Sequence, residues 1–409
     1  MNNHHSSEQN TAGVIRDSCS ILFMLFSFCY LFYLQGEILA EAQFVYSKGL
    51  NSYHLLMGAI IITVILQLVQ WVVSKLSQLP ERWYALSYIP SALLLTILTD
   101  IDRGTIQHFS FGAWTWIAPL VIVGYVLLVM AVRWHQSSNE GHFVSIKSKI
   151  YPDFIILFTL MLLVGWIPQS TDVYHYELKA ERLILEKDYE GATKVGERSL
   201  RTSARLTQLR MYALSQLGQL PERIFEFPQY DASKGLLDVT DTLSTYRFSL
   251  QSICFHLGAL CGPNVRSTDR FYQLALNDSI RNQHTIDYYL CSLLLDKKLD
   301  DFGKQLKRYY LQNDTVSGEA VRLPKAYSEA LLLMGERAAA LEGRIVAHNI
   351  PVITLSDKNI VERFKAYNQL KAELPDLTER INKTHREFGD TYWWYYDFSH
   401  QAKGELQQR

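Results

Sequence analysis

The chain has 409 residues, 40 Lys and Arg against 41 Asp and Glu, and a formal net charge of −1. That length allows two or three domains, and the near neutrality excludes the basic surface that a nucleic-acid partner requires. Charge is spread unevenly: residues 19–168 carry seven Lys/Arg and seven Asp/Glu, whereas residues 169–409 carry thirty-two of each.

Residues 1–18 precede the first apolar run and are expected to form a disordered cytoplasmic tail. Five apolar runs come next: Cys19–Leu34, Leu55–Val73, Trp83–Thr99, Ala113–Trp134 and Phe154–Ile167. A hydrocarbon core of roughly 30 Å needs about 20 helical residues. The second and fourth runs meet that directly, and the others gain length from interfacial flanks such as Tyr84, Tyr88, Tyr151 and Trp166. The predicted transmembrane domain therefore covers 19–168, as a five-helix bundle with spans at about 19–36, 54–74, 83–100, 112–134 and 151–168.

The first run has a competing reading as a signal peptide, because Arg16 precedes it and Ala40-Glu41-Ala42 resembles a cleavage site. The length of the stretch, with Gln35 and Glu37 before that site, favours a retained span. Orientation follows from the basic residues of the short loops. With the N-terminus inside, Arg16, Lys75, Arg82, Arg133, Lys147 and Lys149 lie inside, against Lys48 and Arg103 outside. Five spans then put everything after Ile167 outside the cytoplasm. Glu37 and Glu41, four residues apart just beyond the first span, repel unless they face water or meet a cation, and Arg103 is the expected partner.

The third run ends in "LTDIDRG", residues 98–104, where Asp100 and Asp102 form a D-x-D pair in an outer loop. Two carboxylates at that spacing can hold a divalent metal or take a proton from an acceptor hydroxyl. The placement resembles polytopic glycosyltransferases that use lipid-linked sugars. It supports an alternative reading of the chain as a lipid-linked glycan enzyme or an accessory subunit of one. The bland explanation is ordinary solvation of a span's end, with Arg103 beside the pair for neutralisation.

Beyond residue 168 the apolar spacing is helical, as in Leu206, Leu209, Ala213, Leu214 and Leu217. Tyr189, Leu220 and Leu299 fill one slot in three recurring turns, each followed by acidic or Pro residues that suit a helix start. These turns resemble the tetratricopeptide repeat, whose period of about 34 residues is close to the 31 between Tyr189 and Leu220; the 79 residues from Leu220 to Leu299 fit two degenerate units. Ala192 and Ser199 stand at the family's small-residue positions in the first unit, and Arg223 and Phe302 replace Ala192 in later ones. The resemblance implies an irregular α-solenoid over 172–350, without the family's peptide-binding residues, and the predicted fold class is all-α throughout.

A C-terminal helical cap is expected over 357–400. It contains "FGDTYWWYYDF", residues 388–398, with seven aromatics: Phe388, Tyr392, Trp393, Trp394, Tyr395, Tyr396 and Phe398. On one continuous helix from Asp376, residues Phe388, Tyr392, Tyr395 and Tyr396 share a face while Trp393 and Trp394 point elsewhere. A helix apolar nearly all round is normally buried on several sides, so the leading reading is an end cap on the repeats. Contact of one face with the bilayer surface or with the transmembrane bundle, and a ligand platform, are the other readings. Together with "FYLQGEILAEAQFVYSKG" at 32–49, this plan resembles an uncharacterised family of bacterial membrane proteins, which implies an inner-membrane address and no assigned activity.

Catalytic motifs are scarce. "GATKVGERS" at 191–199 has the glycine spacing of a phosphate loop, but Glu197 stands where a Lys must meet phosphate. No GxSxG, HExxH or paired CxxC occurs, so no cofactor or metal is expected. Cys19 and Cys29 fall in the first span. Cys254 and Cys261 are ~10 Å apart along an unbroken helix, too far for a disulfide without a break, and Cys291 could pair with either. N-x-S/T sites at Asn277, Asn313 and Asn382 are no more than chance provides. The expected function is a membrane-anchored interaction scaffold, held by the bilayer and presenting its repeats to a protein or peptide partner.

Overall fold

The computed structural model describes residues 2–101, 112–137, 146–167, 172–239, 247–262, 265, 267–277, 281–311, 323–340 and 358–406. Among the described residues all regular structure is helical and no strand occurs. The chain divides into two compact units, Met1–Leu178 and Lys179–Arg409.

In the first unit, α1 (Asn2–Cys29) runs into a π-helical turn (Tyr30–Leu34), followed by α2 (Gly36–Tyr46) and α3 (Leu55–Ser77). Helix α1 thus takes in most of the residues expected to be a tail. A 3₁₀ segment (Glu81–Tyr88) leads into α4 (Ile89–Thr99), and α5 (Trp114–Ser137) and α6 (Ile146–Trp166) complete the unit. Three helical stretches are long and apolar enough to cross a membrane: Gly13–Leu34, Leu55–Ser77 and Trp114–His135. Tyr151–Trp166 is apolar but shorter.

The outer faces are apolar without a protein partner. Met57, Ile61, Leu68, Leu120, Leu127, Ile155 and Leu162 are all exposed, far more apolar surface than water tolerates in one belt. Trp116 and Trp134, 82% and 80% exposed, mark the two ends of α5. They stand 18 residues apart, or about 27 Å of helix, which matches a hydrocarbon core with aromatic ends.

The third apolar run occupies the interior of this unit. Ala85, Tyr88, Ala92 and Leu95 are buried with Phe23 and Leu31 of the first run, Leu66 of α3, and Leu157 and Val164 of α6. Polar groups join these helices where no water is available to satisfy them. Gln70 Nε2 donates to Ser87 Oγ at 2.9 Å and Tyr84 OH at 3.0 Å, and Ser91 Oγ donates to the Leu66 carbonyl at 2.8 Å. Asp153 of α6, buried, accepts the Ala85 N–H at 2.8 Å and so caps the 3₁₀ segment from a neighbouring helix.

The second unit continues from α7 (Asp172–Leu185), within which the division falls, through α8 (Tyr189–Lys194), α9 (Ala204–Gln216), α10 (Leu220–Arg223), α11 (Ala232–Leu236), α12 (Leu250–His256), α13 (Thr268–Ala275), α14 (Gln283–Leu295) and α15 (Leu299–Leu306). It ends with α16 (Lys325–Ala340), α17 (Lys358–Glu373), α18 (Leu377–Phe388) and α19 (Tyr392–Leu406). A buried ion pair, Arg205 to Glu181 at 3.0 Å, ties α9 to α7, and Glu181 also accepts the Phe248 N–H at 2.8 Å.

The three turns singled out by Tyr189, Leu220 and Leu299 have the same backbone. Each first helix ends on a left-handed residue, Lys187, Gly218 or Lys297, at φ 64°, 69° and 59°. Each carries the paired closing bonds of a Schellman cap: Lys187 and Asp188 donate to Ile184 and Leu183, Gly218 and Gln219 to Ser215 and Leu214, Lys297 and Lys298 to Leu294 and Leu293, all at 2.8–3.0 Å. A fourth copy lies midway, where Gly258 (φ 81°) and Ala259 donate to Phe255 and Cys254. Its sequence, Leu257-Gly258-Ala259-Leu260, echoes Leu217-Gly218-Gln219-Leu220.

That fourth turn corrects the expectation for the cysteines. Helix α12 stops at His256, the chain reverses through Gly258, and the Cα atoms of Cys254 and Cys261 come to 5.9 Å in a disulfide. An unbroken helix would have kept them apart; the break supplies the approach.

Candidate functional site

The aromatic motif does not form one helix. Helix α18 ends at Phe388, Thr391 Oγ1 donates to the Phe388 carbonyl at 2.6 Å, and α19 restarts at Tyr392. The new N-terminus leaves backbone N–H groups without intrahelical partners, and the Glu329 carboxylate of α16 accepts that of Tyr392 at 2.7 Å. This break is why the single shared face predicted for Phe388, Tyr392, Tyr395 and Tyr396 does not exist: Phe388 packs on Tyr367 of α17 and the others on different neighbours.

Trp393 is fully buried, its ring 4.8 Å from Phe364 and its indole donating to the Glu329 carbonyl at 2.8 Å. Tyr392 and Tyr395 close on Phe225, at 5.2 and 5.1 Å between centroids, and the Tyr395 hydroxyl donates to the Leu295 carbonyl at 2.8 Å. Phe398 is also buried, and Trp394 lies half-buried between it and His385. Tyr396 sits between two cations, Lys297 at 5.5 Å and Arg337 at 5.4 Å from its ring. Between the two helices, Asp390 receives Lys325 at 2.7 Å and Arg363 at 2.5 Å. Most of the motif's aromatic surface is therefore spent inside the unit.

Burial pushes the Glu329 carboxyl up to about 7, with Asp390 adding to the shift and the Tyr392 N–H, Lys325 and Arg363 opposing it. The neighbouring Asp390, held by its two cations, stays below the usual carboxylate range although its burial works the other way.

A second constellation joins residues that no local motif connects. Ser215 Oγ of α9 lies 2.9 Å from His256 Nε2 of α12 and 3.3 Å from His284 Nδ1 of α14, and the two imidazoles pack at a tilt of 39° with centroids 4.3 Å apart. Gln216 Nε2 donates to the Tyr212 hydroxyl at 2.7 Å and lies 3.2 Å from His256 Nδ1. With Gln216 donating to Nδ1, the His256 Nε2–H donates to Ser215, whose own hydroxyl proton is then left for His284. Burial first, and the facing His284 second, push the His256 imidazole down to about 4, so it is neutral at physiological pH. Ser215 is 1% exposed, so its hydroxyl meets no solvent-borne substrate. The arrangement is a buried hydrogen-bonded junction that joins three helices.

Beside it opens a groove of about 940 Å³, walled by Tyr212 and Gln216 of α9, by Gln251, Phe255 and His256 of α12, and by Leu260 of the fourth turn. Among the described residues, no side chain lining it carries a formal charge once His256 is neutral. Cys261 borders it, its N–H donating to Gln251 Oε1 at 3.2 Å, so the disulfide and the Gln251 carboxamide both hold that wall.

Asp100 follows α4 and accepts the Trp114 indole N–H at 2.7 Å. Asp102 and Arg103 lie outside the described residues, so the D-x-D pair and the partner expected for Glu37 and Glu41 are not in view; Glu41 itself is buried. Among the described residues no group of three or more His, Cys, Asp or Glu is placed to hold a metal ion.

A family described as of unknown function (DUF6057) matches residues 104–261 and 264–399, more than half of the chain. No curated protein and no solved structure matches it.

Proposed function

The chain belongs to this family of unknown function, and from that premise we propose that it is a membrane-anchored interaction scaffold of the bacterial cell envelope. Five spans hold it in the inner membrane with the N-terminus in the cytoplasm. Outside, a tetratricopeptide-like solenoid presents a groove to a protein or peptide partner, and the aromatic motif closes its end.

The observation that carries this reading is one turn geometry used four times in the second unit, since repeated helical units exist to stack and to offer an extended surface. Three further observations support the rest. A 3₁₀ helix rises about 2.0 Å per residue and an α-helix about 1.5 Å. The 3₁₀ stretch after the kink at Trp83, residues 84–88, and the eleven residues Ile89–Thr99 thus reach further than the same number of α-helical residues, which favours a third span from a short run. Basic residues favour an inside N-terminus, and the Cys254–Cys261 disulfide favours an oxidising compartment for the second unit. The burial of Trp393, Tyr392 and Phe398 favours a closing role for the motif over a binding platform.

The test is purification of the full chain from its native membrane in mild detergent. A stoichiometric protein partner, whose presence slows hydrogen exchange in the repeat helices, is the expected result. Bound polyprenyl-linked sugar without a protein partner would overturn the scaffold in favour of glycan chemistry around Asp100.

A further inference from the structure

The fourth turn differs from its siblings in the segment just after it. Tyr189, Leu220 and Leu299 each begin a second helix, two residues after the left-handed position, and Leu220 and Leu299 are buried against the helix before them. Leu260 occupies the same slot, yet residues 260–262 are not helical and Leu260 is 70% exposed. Where the second helix would begin, the chain is instead fastened back by Cys261 to Cys254. Phe255, on the facing turn of α12, is 76% exposed.

The disulfide is itself shielded, since both of its cysteines are buried, and Gln251 holds the Cys261 backbone on the other side. Two large apolar side chains are therefore held out from a clasped loop, and a side chain fixed before binding loses little entropy when it binds. The walls also restrict what fits. A partner is expected to bring a face without formal charge, because a charge would be desolvated against Tyr212, Phe255, Leu260 and a neutral His256, with no counter-ion among the described lining side chains.

We propose that the groove between α9, α12 and Leu260 receives an α-helix from a partner protein, uncharged on its contacting face and led by a Leu or aromatic residue, in the slot where a second helix begins at each of the sibling turns. The proposal rests on the scaffold reading and locates its binding site. Helix α15 serves as the natural probe, because it fills the equivalent slot with Leu299, Phe302 and Leu306.

The experiment uses the full chain in detergent and a fluorescent, helix-stapled peptide copying residues 299–311. Saturable anisotropy is expected, weakened at least about tenfold by Leu260→Ser or Phe255→Ser and likewise by the Cys254→Ser/Cys261→Ser pair. Both single substitutions are at exposed positions, so parent-like melting is the fold control. No saturable binding, or binding by Leu260→Ser equal to the parent, overturns the proposal. Photo-crosslinkers at positions 260 and 222 in native membranes separate the two levels. Crosslinks to a protein from 222 alone remove the groove and leave the scaffold, whereas none from either site removes both.

Discussion

Glu329→Gln isolates the electrostatic cost of seating α19. Glu329 is 1% exposed, and its carboxylate accepts the Tyr392 N–H. Its carboxyl is lifted from an ordinary 4.5 to about 7 by burial, reinforced by Asp390 and opposed by the Tyr392 N–H, Lys325 and Arg363. Because the folded-state value lies above the unfolded one, the protonated form is favoured in the fold. The stabilisation is full below pH 4.5 and is lost as pH rises to about 7. At about 1.4 kcal/mol per unit, the amplitude is about 3 kcal/mol. Glutamine keeps an acceptor for Tyr392 and does not titrate, so the stability difference between parent and variant should change by about 3 kcal/mol between pH 4.5 and 7.5, in the variant's favour at high pH. Denaturant unfolding of the full chain in detergent at several pH values measures it, with hydrogen exchange at residues 392–398 reporting locally. Parallel pH profiles for parent and variant would refute the reasoning.

Trp393→Ala should destabilise the second unit by about 3–5 kcal/mol, because removing a fully buried indole leaves a cavity and loses its hydrogen bond to the Glu329 carbonyl; a loss under about 1 kcal/mol in urea unfolding contradicts that. The shared turns give a paired test. Gly218→Ala meets no atom within 4 Å, so its cost of about 1 kcal/mol comes from the left-handed backbone alone, while Lys297→Gly should relieve the same strain at the cost of its Tyr396 contacts. Gly218→Ala leaving the melting temperature unchanged would remove the turn argument. Alkylation of the unreduced, denatured chain should label Cys19, Cys29 and Cys291 and spare Cys254 and Cys261, with two further labels after reduction. Label at Cys254 without reductant would exclude the disulfide.

Legibility in the sequence was local. The slots at Tyr189, Leu220 and Leu299 could be located because a left-handed residue, its Schellman bonds and the next helix start all involve neighbours in the chain. The first, second and fourth apolar runs were legible as helices able to span because length and charge alone decide that. The 3₁₀ start of the third run was not, since its Ala85 N–H is satisfied by Asp153 from another helix, 68 residues away. Nor was the Ser215–His256–His284 junction, whose members are 41 and 69 residues from Ser215. The fourth turn was hidden because no helix begins at Leu260, as one does at Tyr189, Leu220 and Leu299. Among the aromatics, the helical projection failed because it assumed no break; the second helix start has a local cap in Thr391, whose Oγ1 accepts the Trp394 N–H at 3.4 Å, and a distant one in Glu329 of α16, which accepts the Tyr392 N–H.

The Asp153–Ala85 bond also sets an order of assembly. Helix α3 and the 3₁₀ segment leave the ribosome almost together, so Gln70 can meet Ser87 and Tyr84 as soon as both have emerged. The acceptor for Ala85 is made 68 residues later. Until α6 is synthesised, the start of the interior segment carries an N–H with no mate, in surroundings that offer no water to replace one. The first unit therefore becomes complete only when its last helix arrives, and a chain interrupted between Trp134 and Asp153 leaves a bundle whose innermost segment is still unfastened at one end.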